Sequence, residues 1–393
     1  MATVGTLTSS PVPTSTAHFQ FGKDAAPVET KPISQSNKAI MMSERVAFDP
    51  SKHLNFTPPS KVHTMTELGY SERHGISPIG VSEPFPLFSA EAIQHMRDEV
   101  LSDEVFAKHR YSSDLAPCQL RGFASECAPF VYDAWKNPET LAIISKIAGV
   151  DLVPAMDLEI GHVNISVNSE EEKARALTAA VEEINRKADE GVSGCPWEGD
   201  KPIVDWHTDS YPFVCVTMLS DCTDMIGGET ALRKGDGDIV KVRGPQMGSA
   251  VILQGRYIEH QALHALGTTE RISMVTSFRP RSSLVKDDTV LTTVRPISDL
   301  GELYHQFAEY RFEMLQDRFQ DANKFMRDQK RARRPFDTRG LKQFIREQIE
   351  FLEHMEREVV DDDKVQKGVI HNSHLVSEDL KHKSKKRALS AVE

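Results

Sequence analysis

A chain of 393 residues, 39% of them hydrophobic, can bury one large core or two smaller ones. Its formal net charge of -11, from 58 acidic against 47 basic side chains, repels a polyanion, so no nucleic-acid partner is expected and a small molecule is the default. Five cysteines (Cys118, Cys127, Cys195, Cys215 and Cys222) are too few and too irregularly spaced for a disulfide framework or a zinc ribbon, and they read as thiols of a reducing compartment. No apolar run reaches the roughly 20 residues that cross a bilayer, and the N-terminus lacks the pattern of a secretory signal, so the expectation is a soluble, cytoplasmic chain with no membrane contact.

Residues 1–45 are dominated by Thr, Ser and Pro, and such a composition buries too little apolar surface to offset its ordering entropy; a disordered tail is predicted there. A single folded domain is expected over 46–365. Its first part, from about 85 to 150, reads as helical. Ser89 offers an N-cap ahead of Ile93, Met96 and Val100, and a second helix starts at Asn137-Pro138 and runs to Gly149. Between Asp157 and Arg281 eight β-prone stretches recur: DLEIGHVNISV, PIVDWHTD, FVCVTMLSD, GETALRK, DIVKVR, SAVILQG, RYIEHQAL and RISMVTSFRP. Separated by turn signals such as KGDGD, they predict a closed or sandwiched antiparallel core over about 155–281, and hence a protein that is mainly β with flanking α.

One helical insertion interrupts the series. Ser169 with Glu172 matches a capping box, and apolar residues at Ala174, Leu177, Val181, Ile184 and Ala188 keep helical spacing. It reads as a surface helix on a long loop, with a lid over the site as the alternative. From about 297 to 365 two long stretches again show apolar residues every three or four positions. They can pack on the β core, close the mouth of a site or build a homodimer interface. Residues 366–393 read as a polar, basic tail.

Chemistry concentrates at Val204-Asp205-Trp206-His207-Thr208-Asp209. Residues two apart in an extended chain point the same way, so His207 and Asp209 can meet one ion. Alone, HxD is a weak signal. It is strengthened by His260 in a later stretch and by Arg271 eleven residues beyond it. Two imidazoles and one carboxylate on one face leave three adjacent positions of an octahedral ion open, as non-haem Fe(II) oxygenases require. His264, four residues after His260, competes for the third position.

Several nearby residues keep two readings. His162 and Asn164 alternate along an early strand and either line a substrate or cosubstrate pocket or form a satisfied polar pair in the core. Arg121 either anchors an acidic group of the substrate or is a surface or helix-linking arginine. Trp206, Tyr211 and Phe213 wall the site or simply pack.

The HxD, the later histidine and the spacing from His260 to Arg271 resemble the Fe(II)/2-oxoglutarate-dependent dioxygenases. With GGET, EHQAL and ERISMVTSFRP the pattern is similar to fungal members of small-molecule, secondary metabolism, and the likeness runs from about Leu120 to Arg281. The resemblance implies a double-stranded β-helix, or jelly roll, of eight strands between N-terminal and C-terminal helices. It implies iron ligation by His207, Asp209 and His260, with O2 as oxidant. Arg271 would bind the distal carboxylate of 2-oxoglutarate with Ser273 beside it, and Thr230 would add a hydrogen bond. The spacing from His264 to Arg271 is short for the family. Related halogenases carry Ala or Gly at the ligand position held here by Asp209. A carboxylate therefore implies hydroxylation, desaturation or oxidative cyclisation of an unactivated carbon, with release of succinate and CO2. Two rivals are a catalytically silent barrel that binds a small molecule and a cupin-type metal oxygenase that does not use 2-oxoglutarate. The substrate itself is not legible.

Overall fold

The computed structural model describes residues 46–113, 116, 118–167, 178, 204–223, 225–242, 246–263, 265–266 and 270–370. The N-terminal tail, the 169–190 helix apart from Thr178, Cys195, His264 and the final residues of the basic tail lie outside them. The chain divides into Met1–Arg45 and Val46–Glu393, and the fold below is that of the second unit.

The N-terminal helices form where their caps place them. Ala90–Val100 starts at Ser89, whose side chain accepts the Ala92 N–H, and it turns Ala92, Ile93, Met96 and Val100 inward. Pro138–Ala148 starts at Asn137, which accepts the Glu139 N–H, and stops at Gly149, whose φ of 70° suits a residue without Cβ. The region is less purely helical than its sequence predicts. Strands Phe85–Pro86, Arg110–Tyr111 and Gln119–Leu120 interrupt it, and Val62–Thr64 and Ile79–Ser82 precede it. Strands of two to four residues offer too little alternation to be told from loop.

The eight predicted β stretches each contribute a strand. The larger sheet runs in the order Val62–Thr64, Ile79–Ser82, Ser249–Leu253, Phe213–Met218, Glu270–Pro280, His162–Val167, Gln119–Leu120, Arg110–Tyr111. A smaller sheet runs Ile239–Val242, Thr230–Arg233, His260–Ala262, Val204–His207. Every pairing within both sheets is antiparallel. From Val204 to Pro280 the chain crosses repeatedly between the two sheets.

Alternation along Glu270–Pro280 shows why the larger sheet has two different faces. Ile272, Met274 and Phe278 join a core with Trp135, Ile93 and Ile144 from the helices. Arg271, Ser273, Val275 and Ser277 point the other way, into a cavity. Val214 and Val251 of the larger sheet meet Leu232 and Val242 of the smaller one in a second apolar cluster, so the two sheets pack face to face. Each such fully buried side chain contributes roughly 1.5–3 kcal/mol.

Past the sheets, Leu300–Arg331 and Thr338–Glu358 form two long helices capped by Asp299 and Asp337. Leu303, Phe307 and Met314 of the first pack with Phe351 and Met355 of the second. The chain then returns to the body. The Gly368 N–H donates to the Pro296 carbonyl at 3.0 Å, Lys367 Nζ donates to the Ser298 carbonyl at 2.5 Å, and Ile370 is buried against the cavity. Residues 366–370 therefore dock rather than join a solvated tail, because Ile370 supplies an apolar anchor at its boundary. No described helix is long and apolar enough to cross a membrane.

Candidate metal centre

His207 ends its strand and stands directly opposite His260 on the neighbouring one, with ring centroids 4.3 Å apart. Asp209 lies beyond the end of that strand, so its approach to His207 does not rest on strand alternation. A backbone contact places it instead: the Asp209 N–H donates to the Gly255 carbonyl at 2.9 Å. Its carboxylate then reaches both imidazoles, with Oδ1 3.6 Å from His207 Nε2 and Oδ2 3.5 Å from His260 Nε2. A Cβ at Gly255 would lie 1.8 Å from Asp209 Oδ2. Glycine is thus a condition of the site's geometry, and no motif in the sequence marks Gly255.

The polarity of the site favours a cation. His260 Nδ1 lies 2.9 Å from the Ile258 carbonyl, and an N–H there leaves the Nε2 lone pair facing Asp209. Burial pushes the His260 imidazole down to about 4, against the opposing pull of Asp209, which keeps it neutral near pH 7. Burial alone would raise the Asp209 carboxyl, but the two histidines and Arg256 bring it below the ordinary carboxylate value. Asp209 Oδ2 is buried and accepts no hydrogen bond from the described residues. A buried anionic oxygen without a donor is costly unless a cation completes it. Donor atoms of His207, Asp209 and His260 all lie within 4.8 Å of one another, so the set fits one metal ion.

The triad opens on a cavity of about 200 Å³ between the two sheets. Arg271, Ser273 and Thr230 all line it. Arg271 makes no ion pair among the described residues, and its Nε is buried without a partner. Burial holds its guanidinium below the ordinary arginine value. His162 and Asn164 also line the cavity, joined by Gln119, whose amide lies 3.2 Å from His162 Nε2 and donates to Asn164 Oδ1 at 3.3 Å. Burial and the nearby Arg121 charge push His162 down to about 4.

Arg121 is neither a surface nor a linking arginine: it is 1% exposed. It forms a bidentate pair with Glu159 and donates to Ser298 Oγ at 2.8 Å. Glu159 also accepts from Tyr211 at 2.5 Å and from Ser277 at 3.4 Å. The charge of Arg121 is thus answered inside the protein. Neither Glu159 nor Ser277 was singled out in the sequence, although the two-residue alternation from Arg271 through Ser273 continues to Ser277. Tyr211 was expected to wall the site or pack, and it lines the cavity while holding Glu159. Four cysteines, Cys118, Cys127, Cys215 and Cys222, are free thiols.

The chain matches no protein-family profile and no curated protein. The solved structures similar to it include 2-oxoglutarate/Fe(II) oxygenases. One is a 2OG-Fe(II) oxygenase family oxidoreductase from Burkholderia pseudomallei, at 12% identity over 45% of this chain and 76% of that one, with a TM-score of 0.29. A second is the α-ketoglutarate-dependent epimerase SnoN of nogalamycin biosynthesis, at 14% identity over 56% of this chain and 83% of that one, with a TM-score of 0.34. A third is a Pseudomonas putida prolyl-4-hydroxylase, at 15% identity over 57% of this chain and 99% of that one, with a TM-score of 0.29.

Proposed function

We propose that this chain is an Fe(II)- and 2-oxoglutarate-dependent dioxygenase acting on an unactivated carbon of a small metabolite, of the secondary-metabolism kind, in the cytoplasm. The observation that carries the reading is one cavity holding two complementary deficits: a buried carboxylate oxygen on Asp209 without a donor, and on Arg271 a half-buried guanidinium with a buried, unpartnered Nε and no ion pair among the described residues. A cation answers the first and a carboxylate the second. A silent binding barrel has no need of the first, and a cupin-type oxygenase no need of the second. The two facing sheets are read, in keeping with this, as a double-stranded β-helix.

His207, Asp209 and His260 would hold the iron from one side, leaving its remaining positions toward the cavity. Arg271 would take the distal carboxylate of 2-oxoglutarate in its donor fork, with the Ser273 hydroxyl beside it and Thr230 facing them from the smaller sheet. Iron and 2-oxoglutarate, when bound, supply the oxidising power for hydroxylation, desaturation or oxidative cyclisation with release of succinate and CO2. Val214, Val216, Val251 and Leu253 keep much of the cavity wall apolar and exclude water. His162, Asn164 and Gln119 offer the polar contacts that orient a substrate, while Arg121 holds that wall in place from behind.

Purified protein given Fe(II), 2-oxoglutarate and O2 should release succinate, faster when a member of a broad metabolite panel fits the cavity. Asp209→Ala should reduce release to background. No succinate under any of these conditions would contradict the proposal.

A further inference from the structure

The two C-terminal helices bury residues only at one end of their hairpin. Leu300–Arg331 has buried positions from Leu300 to Leu315 and none beyond. Thr338–Glu358 has them only from Gln348 onward. Residues 316–347 thus form an arm without a single buried side chain. At 1.5 Å per residue, the arm's part of the first helix extends about 24 Å.

That arm and its base carry an apolar seam that solvent does not explain. Phe312, Phe319 and Met326 recur every seven residues on one helix, and Ile345, Ile349 and Leu352 follow four and three apart on the other. Each is between 38% and 56% exposed. Phe319 meets Phe344 across the hairpin with ring centroids 5.6 Å apart, so the two stripes adjoin. Seven-residue and four-three spacing is the pattern by which a helix face seeks another helix. Contiguous exposed apolar surface of this kind marks an interaction face.

Charge identifies the partner. Positions 324–346, around the tip, hold nine lysines and arginines against two aspartates. Positions 302–321 and 347–358, toward the base, hold ten acidic residues against three basic ones. A hairpin basic at one end and acidic at the other complements a copy of itself laid antiparallel, tip against base, across a two-fold axis. We propose that a second copy of this chain covers the seam, so that two hairpins form an antiparallel four-helix bundle. This surface does not depend on the chemistry assigned to the metal centre.

Light scattering coupled to size exclusion should find the full chain as a dimer. The pair Phe319→Glu and Ile349→Glu, placed at exposed positions, should weaken dimerisation at least about 30-fold, as loss of a central apolar anchor does, while circular dichroism stays unchanged. The register has its own test. A chain with Arg327, Arg334 and Lys342 changed to Glu should fail to pair with itself. It should pair with a chain carrying Glu309→Lys, Glu313→Lys and Glu353→Lys. A monomer at all concentrations would overturn the proposal, whether the chain's own ends or another protein then cover the seam. So would a dimer indifferent to the Phe319 and Ile349 changes, or reversed chains that show no mutual preference.

Discussion

Two arginines line the same cavity, one buried and one half-buried, and they live under opposite conditions. Arg121, deep behind the His162 wall, is bound by Glu159, which Tyr211 and Ser277 steady in turn. Arg271, across from His207, Asp209 and His260, has no acidic partner among the described residues and a bare Nε. Burying a charge costs several kcal/mol unless a partner offsets it. The protein offsets that cost from within at Arg121; at Arg271, which is only half-buried, the described residues provide no ion pair and the buried Nε goes unpartnered. The first arginine is thereby tied into the fold, and on the function proposed above the second is kept for an acid that arrives with a ligand.

The contrast can be broken from either side. Glu159→Gln removes the partner of Arg121 and should cost about 3–5 kcal/mol, read as a large fall in the denaturant midpoint; a midpoint like that of the wild type would mean that Arg121 is not held as a paired charge. Next in size is Gly255→Ala, whose added Cβ collides with Asp209 Oδ2. Iron affinity should fall about 10- to 100-fold, the range seen when the support of a metal ligand is disturbed, whereas the Arg121 end keeps its stability. Anaerobic Fe(II) titration measures this, and unaltered affinity would show that the close approach of Gly255 is incidental. The smallest change is expected from Arg271→Gln on the ligand-free fold. With no partner among the described residues to orphan, the substitution should leave unfolding free energy within about 1 kcal/mol of the wild type or raise it; a loss as large as that of Glu159→Gln would erase the distinction between the two arginines.

The same contrast separates what the sequence discloses from what it does not. Residues two apart along Glu270–Pro280 share a face, so Arg271 and Ser273, which the family resemblance had paired, lie together and Ile272 and Met274 lie opposite. His207 and His260 were legible because each stands in a recognisable strand, and their pairing follows from the antiparallel sheet. Asp209 was legible as a residue but not as a position, because Gly255 sets it, 46 residues away in the chain. The scaffold around Arg121 was hidden for the same reason: Glu159 is 38 residues from it, and Tyr211 is 52 residues from Glu159. Neighbours brought together by folding leave no periodic trace. Short strands such as Gln119–Leu120 were hidden by length alone.

The central claim is that Arg271 is left unpaired for the carboxylate of a 2-oxo acid. Anaerobic titration of 2-oxoglutarate into the Fe(II)-loaded protein, repeated with Arg271→Gln, tests it most directly. Saturable binding by the wild type, weakened at least about 30-fold in the variant while Fe(II) affinity is unchanged, is the result predicted. Equal 2-oxoglutarate affinity in the two proteins, or none in either, would contradict it.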